Sequence, residues 1–198
     1  AFNKWNRAYG VDANWQVSEG QRISTYVART DTPETPQNAT GPRGSDWSGR
    51  GFYDFRNRLW QVGGGVTRVG QNFNPEVGFL PRRNFIRPEM RIFFQPQPTR
   101  PKWIRRIAPH VSANAFYDAD EVVKGAGRKL QTAFWHVHPF EIQPMQGGRF
   151  GWFFDVNKDN PLAPFQVYNR DGKRVVIPVG EYTWTQHSFE YFHNPSSA

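Results

Sequence analysis

From residue 8 to residue 17 the chain obeys a strict period of two. Tyr9, Val11, Ala13, Trp15 and Val17 alternate with Gly10, Asp12, Asn14 and Gln16. That period puts the two sets on opposite faces of an extended strand and is incompatible with a helix, whose faces repeat every ~3.6 residues. After a Ser18-Glu19-Gly20 turn, residues 21–30 read as the returning strand of a hairpin. Residues 47–57, 59–70, 84–95, 108–120, 129–143 and 149–156 read as further strands, as does a last stretch that ends at Phe192. In 84–95, Ile86, Met90, Ile92 and Phe94 oppose Arg87, Glu89 and Arg91; in 149–156, Phe150, Trp152 and Phe154 fall together.

These segments predict a single all-β domain: an antiparallel meander of about nine long strands, barrel-like or a partly open sheet, with no substantial helix. Most run roughly 9–12 residues, longer than the ~5–6 of ordinary strands and near the ~9–11 of tilted membrane strands. Eighteen Gly and 16 Pro supply the punctuation. Asp171-Gly172 is a hairpin-turn signal, Gly147-Gly148 another turn, and 122–129 a turn around Gly125 and Gly127. Pro88 removes one ladder hydrogen bond, which predicts an edge or a bulge there. Gly63-Gly64-Gly65 lies inside a strand and predicts sharp curvature or close packing. Residues 31–46 form a polar loop, 96–109 a Pro-rich basic connector, and 71–83 an ordered loop with an apolar set of Phe73, Val77, Phe79 and Leu80.

No stretch approaches the ~18 apolar residues of a membrane-spanning helix. Without Cys there is neither a disulfide framework nor a thiolate metal site. Net charge is +8 and mean hydropathy −0.74, so anionic partners are expected: lipid headgroups, an acidic protein surface or, less favoured for want of a binding fold, nucleic acid. The first residue is Ala1 and no charged segment leads into an apolar one, which predicts a removed signal or an internal piece of a longer precursor.

The loop Phe73-Asn74-Pro75-Glu76-Val77-Gly78-Phe79, followed by Pro81-Arg82, resembles the signature of a bacterial family of unknown function, DUF5916. A second stretch, Pro178-Val179-Gly180-Glu181-Tyr182, resembles the same family. The likeness extends over essentially the whole chain. Members carry a carbohydrate-binding-like sandwich ahead of a C-terminal domain that looks like an outer-membrane barrel. The resemblance therefore implies an internal slice of that barrel, a bacterial cell-envelope location and a membrane or membrane-protein setting. It implies no reaction. Phe73, Asn74, Pro75, Glu76, Gly78, Phe79, Pro178, Gly180 and Tyr182 are the expected structural signature.

His136 and His138 share a strand face near Glu141, yet their spacing fixes no third metal ligand, so they read as polar, lumen-facing or surface residues. Asp155, Asn157 and Asp159 resemble the start of a calcium loop but lack the turn Gly and the bidentate Glu, which favours a solvated hairpin tip. Asp118, Asp120 and Glu121 read as an acidic turn rather than a glycosidase pair. No nucleophile elbow, phosphate loop or dinucleotide fingerprint is present, and no cofactor is implied. Asn38-Ala39-Thr40 matches a glycosylation acceptor, expected to stay unmodified in a bacterial protein. Arg82, Arg83, Arg100, Lys102, Trp103, Arg105 and Arg106 are the candidate contacts to an anionic surface or partner. The leading role is a non-catalytic envelope barrel. The alternatives are a membrane-extrinsic scaffold that stabilises a larger complex and, third, carbohydrate binding or processing.

Overall fold

Nine strands of the computed structural model pair edge to edge, every neighbour antiparallel. The structure describes residues 5–32, 45–76, 78, 80–125 and 129–194. Among these the elements are β1 (Arg7–Ser18), β2 (Gln21–Asp31), β3 (Trp47–Arg56), β4 (Trp60–Val69), β5 (Phe85–Phe94), β6 (Ile104–Ile107), β7 (His110–Asp118), α1 (Ala119–Val123), β8 (Leu130–Pro144), β9 (Arg149–Asp159), β10 (Phe165–Arg170), β11 (Lys173–Ile177) and β12 (Tyr182–Phe192). The sheet order is β1-β2-β3-β4-β5-β7-β8-β9-β12, with β6 attached to β8 and β10-β11 a separate hairpin. The sheet is open, and β1 and β12 are its edges. The antiparallel meander expected from the alternation is present, and it is not closed into a barrel.

Register makes the two faces chemically opposite. One row across all nine strands reads Trp15, Ile23, Tyr53, Gly64, Met90, Ala113, Trp135, Val156, Thr185. The adjacent row, one residue along, reads Gln16, Arg22, Asp54, Gly63, Arg91, Ser112, His136, Asp155, Gln186. Burial runs opposite to that of a water-soluble sheet. On the apolar face Val11 is 72% exposed and Phe189 85%, and Trp15, Val27, Val66 and Trp135 are exposed too. The polar residues Asp54, Glu89, Arg91, His136 and Asp155 on the other face are only partly exposed.

Gly63 and Gly65 of the glycine run belong to this polar face. Asp54 and Arg91 flank Gly63 in one row, and their 2.6 Å ion pair passes over β4 because that strand has no side chain there. Arg50 reaches Glu89 across the same strand at 2.9 Å, with the Phe52 ring beneath both arginines. A Cβ on Gly65 would sit 2.3 Å from the Gly51 carbonyl oxygen and 2.7 Å from the Phe52 ring, so the expected close packing is real. Gly65→Ala is expected to destabilise by about 1–3 kcal/mol, since overpacking outweighs the ~0.5–1 kcal/mol that Ala gains over Gly within a strand. Gly64→Ala on the open face, where the nearest atom would be 3.5 Å away, is expected to be neutral or mildly stabilising. Urea titration of the two variants side by side checks the contrast.

Four expectations need correction. Residues 155–159 are not a hairpin tip: they complete β9, paired with β8 and β12 on either side, because the polar residues alternate and so suit a strand with one wet face. The connector is not loop throughout, since Ile104–Ile107 pairs with β8 as β6. Pro88 gives neither an edge nor a bulge; β5 is internal, and its ladder to β7 lapses between Ile86 and Glu89 without a change of register. The turn at 122–129 begins as the five-residue helix α1, whose first N–H groups (Asp120 and Glu121) are capped by the Asp118 carboxylate at 3.0 and 3.1 Å. The Asp171-Gly172 signal does form the β10–β11 turn, with φ of 53° and 74°.

Candidate functional site on the polar face

The loop between β4 and β5 folds over the polar face and builds a small apolar core there. Val69, Phe73 and Phe85 are buried together, with Ala28, Leu80 and Phe116 packed around them. Ala28, Val69, Phe85 and Phe116 come from four different strands but share the polar side by register. Phe73 and Leu80 are the loop's contribution. Val77 and Phe79 lie outside the described residues, as do 33–44, including Asn38-Ala39-Thr40.

Asn74 is the hub of the loop. Its N–H donates to Thr30 Oγ1 at 2.8 Å, its carbonyl accepts from Asn6 Nδ2 at 2.8 Å, and its side-chain oxygen accepts from Arg83. Pro75 opens a tight turn closed by the Gly78 N–H to its carbonyl at 2.9 Å, and Glu76 faces the Asn74 amide at 3.5 Å. At the far end Arg82 donates to Thr132 Oγ1 at 3.0 Å and lies over the Phe116 ring. The loop is thereby tied to β2 at one end and to β8 at the other. In the second motif Tyr182 Oη donates to the Pro178 carbonyl at 3.0 Å, and a Cβ on Gly180 would make only ordinary contact with the phenol ring, at 3.5 Å.

The basic residues divide into two groups. Arg82 and Arg83 hold the loop, while Arg105 and Arg106 both donate to Gln143 Oε1 at 2.9 Å. Arg100, Lys102 and Trp103, exposed like Arg105, lie at the end of the sheet opposite the β4–β5 loop. The Trp103 carbonyl there accepts from the Met145 N–H at 2.8 Å, tying the connector to the β8–β9 turn.

Toward that same end, three histidines converge on the polar face. His110 on β7 is the cross-strand partner of His138 on β8, and His136 lies one pleat along. Ring centroids are 4.6 Å apart for His110–His138, 5.2 Å for His110–His136 and 5.8 Å for His136–His138. His136 Nδ1 is 2.7 Å from Asp155 Oδ1, and His110 Nδ1 is 3.0 Å from the Ala108 carbonyl. Glu141 Oε2 lies 3.8 Å from His110 Nδ1 and 3.7 Å from His138 Nδ1; Glu190 Oε1 lies 3.9 Å from His138 Nε2. Glu190 is also paired with Arg149 at 3.1 Å. Asp159, further along β9, accepts from Thr132, and Asn157 sits between Phe134 and Trp184 in the ladder, so neither joins the histidines. His110 and Glu190 are the members that spacing along the sequence did not indicate. The signal available was periodicity: both fall on the polar phase of their own strands.

No protein-family model, curated protein or solved structure matches this chain.

Proposed function

We propose that the chain forms part of the wall of an outer-membrane-type β-barrel in the bacterial cell envelope, with a structural or binding role and no reaction of its own. The observation that carries this reading is the pair of adjacent rows: the apolar one leaves Trp15, Tyr53 and Trp135 exposed, while the polar one is at most partly exposed from β3 to β9. A sheet must cover its apolar face with something, and hydrocarbon is the cover that also explains a charged inner face. Apolar-out, polar-in alternation along tilted strands is the pattern of membrane barrels. The nine long strands run from 9 to 15 residues, enough to cross about 25–30 Å of hydrocarbon at a tilt.

Arg100, Lys102 and Trp103 suit the rim, where an aromatic ring rests at headgroup depth beside cations that attract anionic lipid. None of the helices among the described residues is long and apolar enough to span a membrane. The likeness of both motifs to the DUF5916 barrel domain accords with the reading. In that setting the unpaired edges of β1 and β12 join further strands, since hydrocarbon does not tolerate open ladders.

The net charge of +8 is what favours the second reading, a membrane-extrinsic scaffold held to an acidic surface. Washing native membranes with alkaline carbonate and then with high salt separates the two. Retention of this protein through both washes is expected; release by either one overturns the barrel assignment.

A further inference from the structure

We propose that His110, His136 and His138 bind a divalent transition metal of the zinc class, held on the polar face between β7, β8 and β9. One ring nitrogen from each lies within 4.8 Å of the others. The Ala108 carbonyl can only accept, so His110 donates from Nδ1; the Asp155 carboxylate imposes the same on His136. An imidazole whose Nδ1–H is engaged by an oxygen presents its lone pair at Nε2, and a carboxylate or carbonyl behind the ring is the support that metal-ligating histidines use. Two of the three rings thus carry a supported Nδ1–H and keep their lone pair on Nε2.

The third ring supplies the independent observation. His138 is 3% exposed, and its Nε2 is buried without a hydrogen-bond partner. Buried nitrogens left in that condition are rare and destabilising. Glu190 Oε1, at 3.9 Å, is too far for a hydrogen bond but no farther than two coordination bonds of about 2.0–2.1 Å laid end to end. Gly151 keeps this space open: a Cβ there would sit 2.5 Å from His138 Nε2. Phe93 stacks on His110 at 4.5 Å, and Phe153 lies 5.0 and 5.3 Å from the other two rings, so the rings have few rotamers to lose.

The donor set selects the ion. Three imidazoles with carboxylates nearby suit zinc, copper, nickel or cobalt, whereas calcium and magnesium require oxygen shells. Tetrahedral coordination places ligand nitrogens about 3.4 Å apart, so the rings close by roughly 1 Å on binding. Glu190 or water takes the fourth position. None of this depends on what covers the opposite face.

The test uses the full chain, folded in the lipid or detergent in which it is stable and stripped with chelator. Titration with Zn²⁺ alone is expected to give one equivalent bound, and Co²⁺ to give the intense visible bands of a four- or five-coordinate site. His110→Ala and His136→Ala are each expected to weaken binding at least tenfold. Asp155→Asn is expected to weaken it about 10–100-fold, since it alters only the support behind a ligand. His187→Ala removes a histidine from the apolar face and is expected to leave binding unchanged, with all the variants retaining the wild-type circular dichroism spectrum. Absence of stoichiometric binding, faint six-coordinate cobalt spectra, or affinity indifferent to the three polar-face substitutions would each overturn the site.

Discussion

Truncating Phe85 to Ala is expected to cost about 3–5 kcal/mol of unfolding free energy, the range for large aromatic residues removed from a packed site. Phe85 is 7% exposed and meets the Phe116 ring edge-on, at 5.1 Å and 63°. With its neighbours Val69 and Phe73 it forms a buried apolar cluster. The loss combines the transfer of the ring with a cavity that the loop cannot refill, because Asn74 and Arg82 pin it at both ends. Chemical denaturation followed by tryptophan fluorescence reads the effect. A cost below ~1 kcal/mol would mean that the loop does not close over this residue, and the account of what holds the loop down would fail with it.

Val66→Arg is expected to cost about 2–4 kcal/mol in a lipid bilayer, the penalty for a cation on the lipid face near the midplane, and less than ~0.5 kcal/mol if water covers that face. Val66 is 49% exposed, stands near the middle of a ten-residue strand and pairs with Gly51 and Pro88, neither of which crowds the new side chain. Val66→Asp is expected to cost less than Arg in the bilayer. Equilibrium unfolding in vesicles separates the outcomes, and a near-zero penalty for Arg would count directly against lipid as the cover.

The strands were legible because period-two alternation is a local property: Tyr9 to Val17 declares its own two faces without reference to any partner. The same property cannot say which face is enclosed. Trp15 and Trp135 suit a protein core and a lipid surface equally well, and only cross-strand register together with their exposure among the described residues shows that they share an uncovered face. Short elements carry no such signature, for a different reason. Ile104–Ile107 is four residues set among prolines, and its pairing to β8 is decided by the partner strand rather than by its own pattern.

The His cluster illustrates the same limit. His136 and His138 are neighbours in sequence, but His110 and Glu190 arrive from β7 and β12 through the sheet ladder. Counting spacing along the chain therefore stops one ligand short. The basic connector is uniform in composition, yet Arg105 and Arg106 both donate to Gln143, a tie fixed by the pairing of β6 with β8.

The strand order carries a rule of parity. Antiparallel neighbours reverse direction at each step, so in a run of nine β1 and β12 point the same way. Sealing these two edges directly would make a parallel seam in an otherwise antiparallel wall. An all-antiparallel ring that contains this sheet must insert an odd number of additional strands between them, which brings the total to an even number.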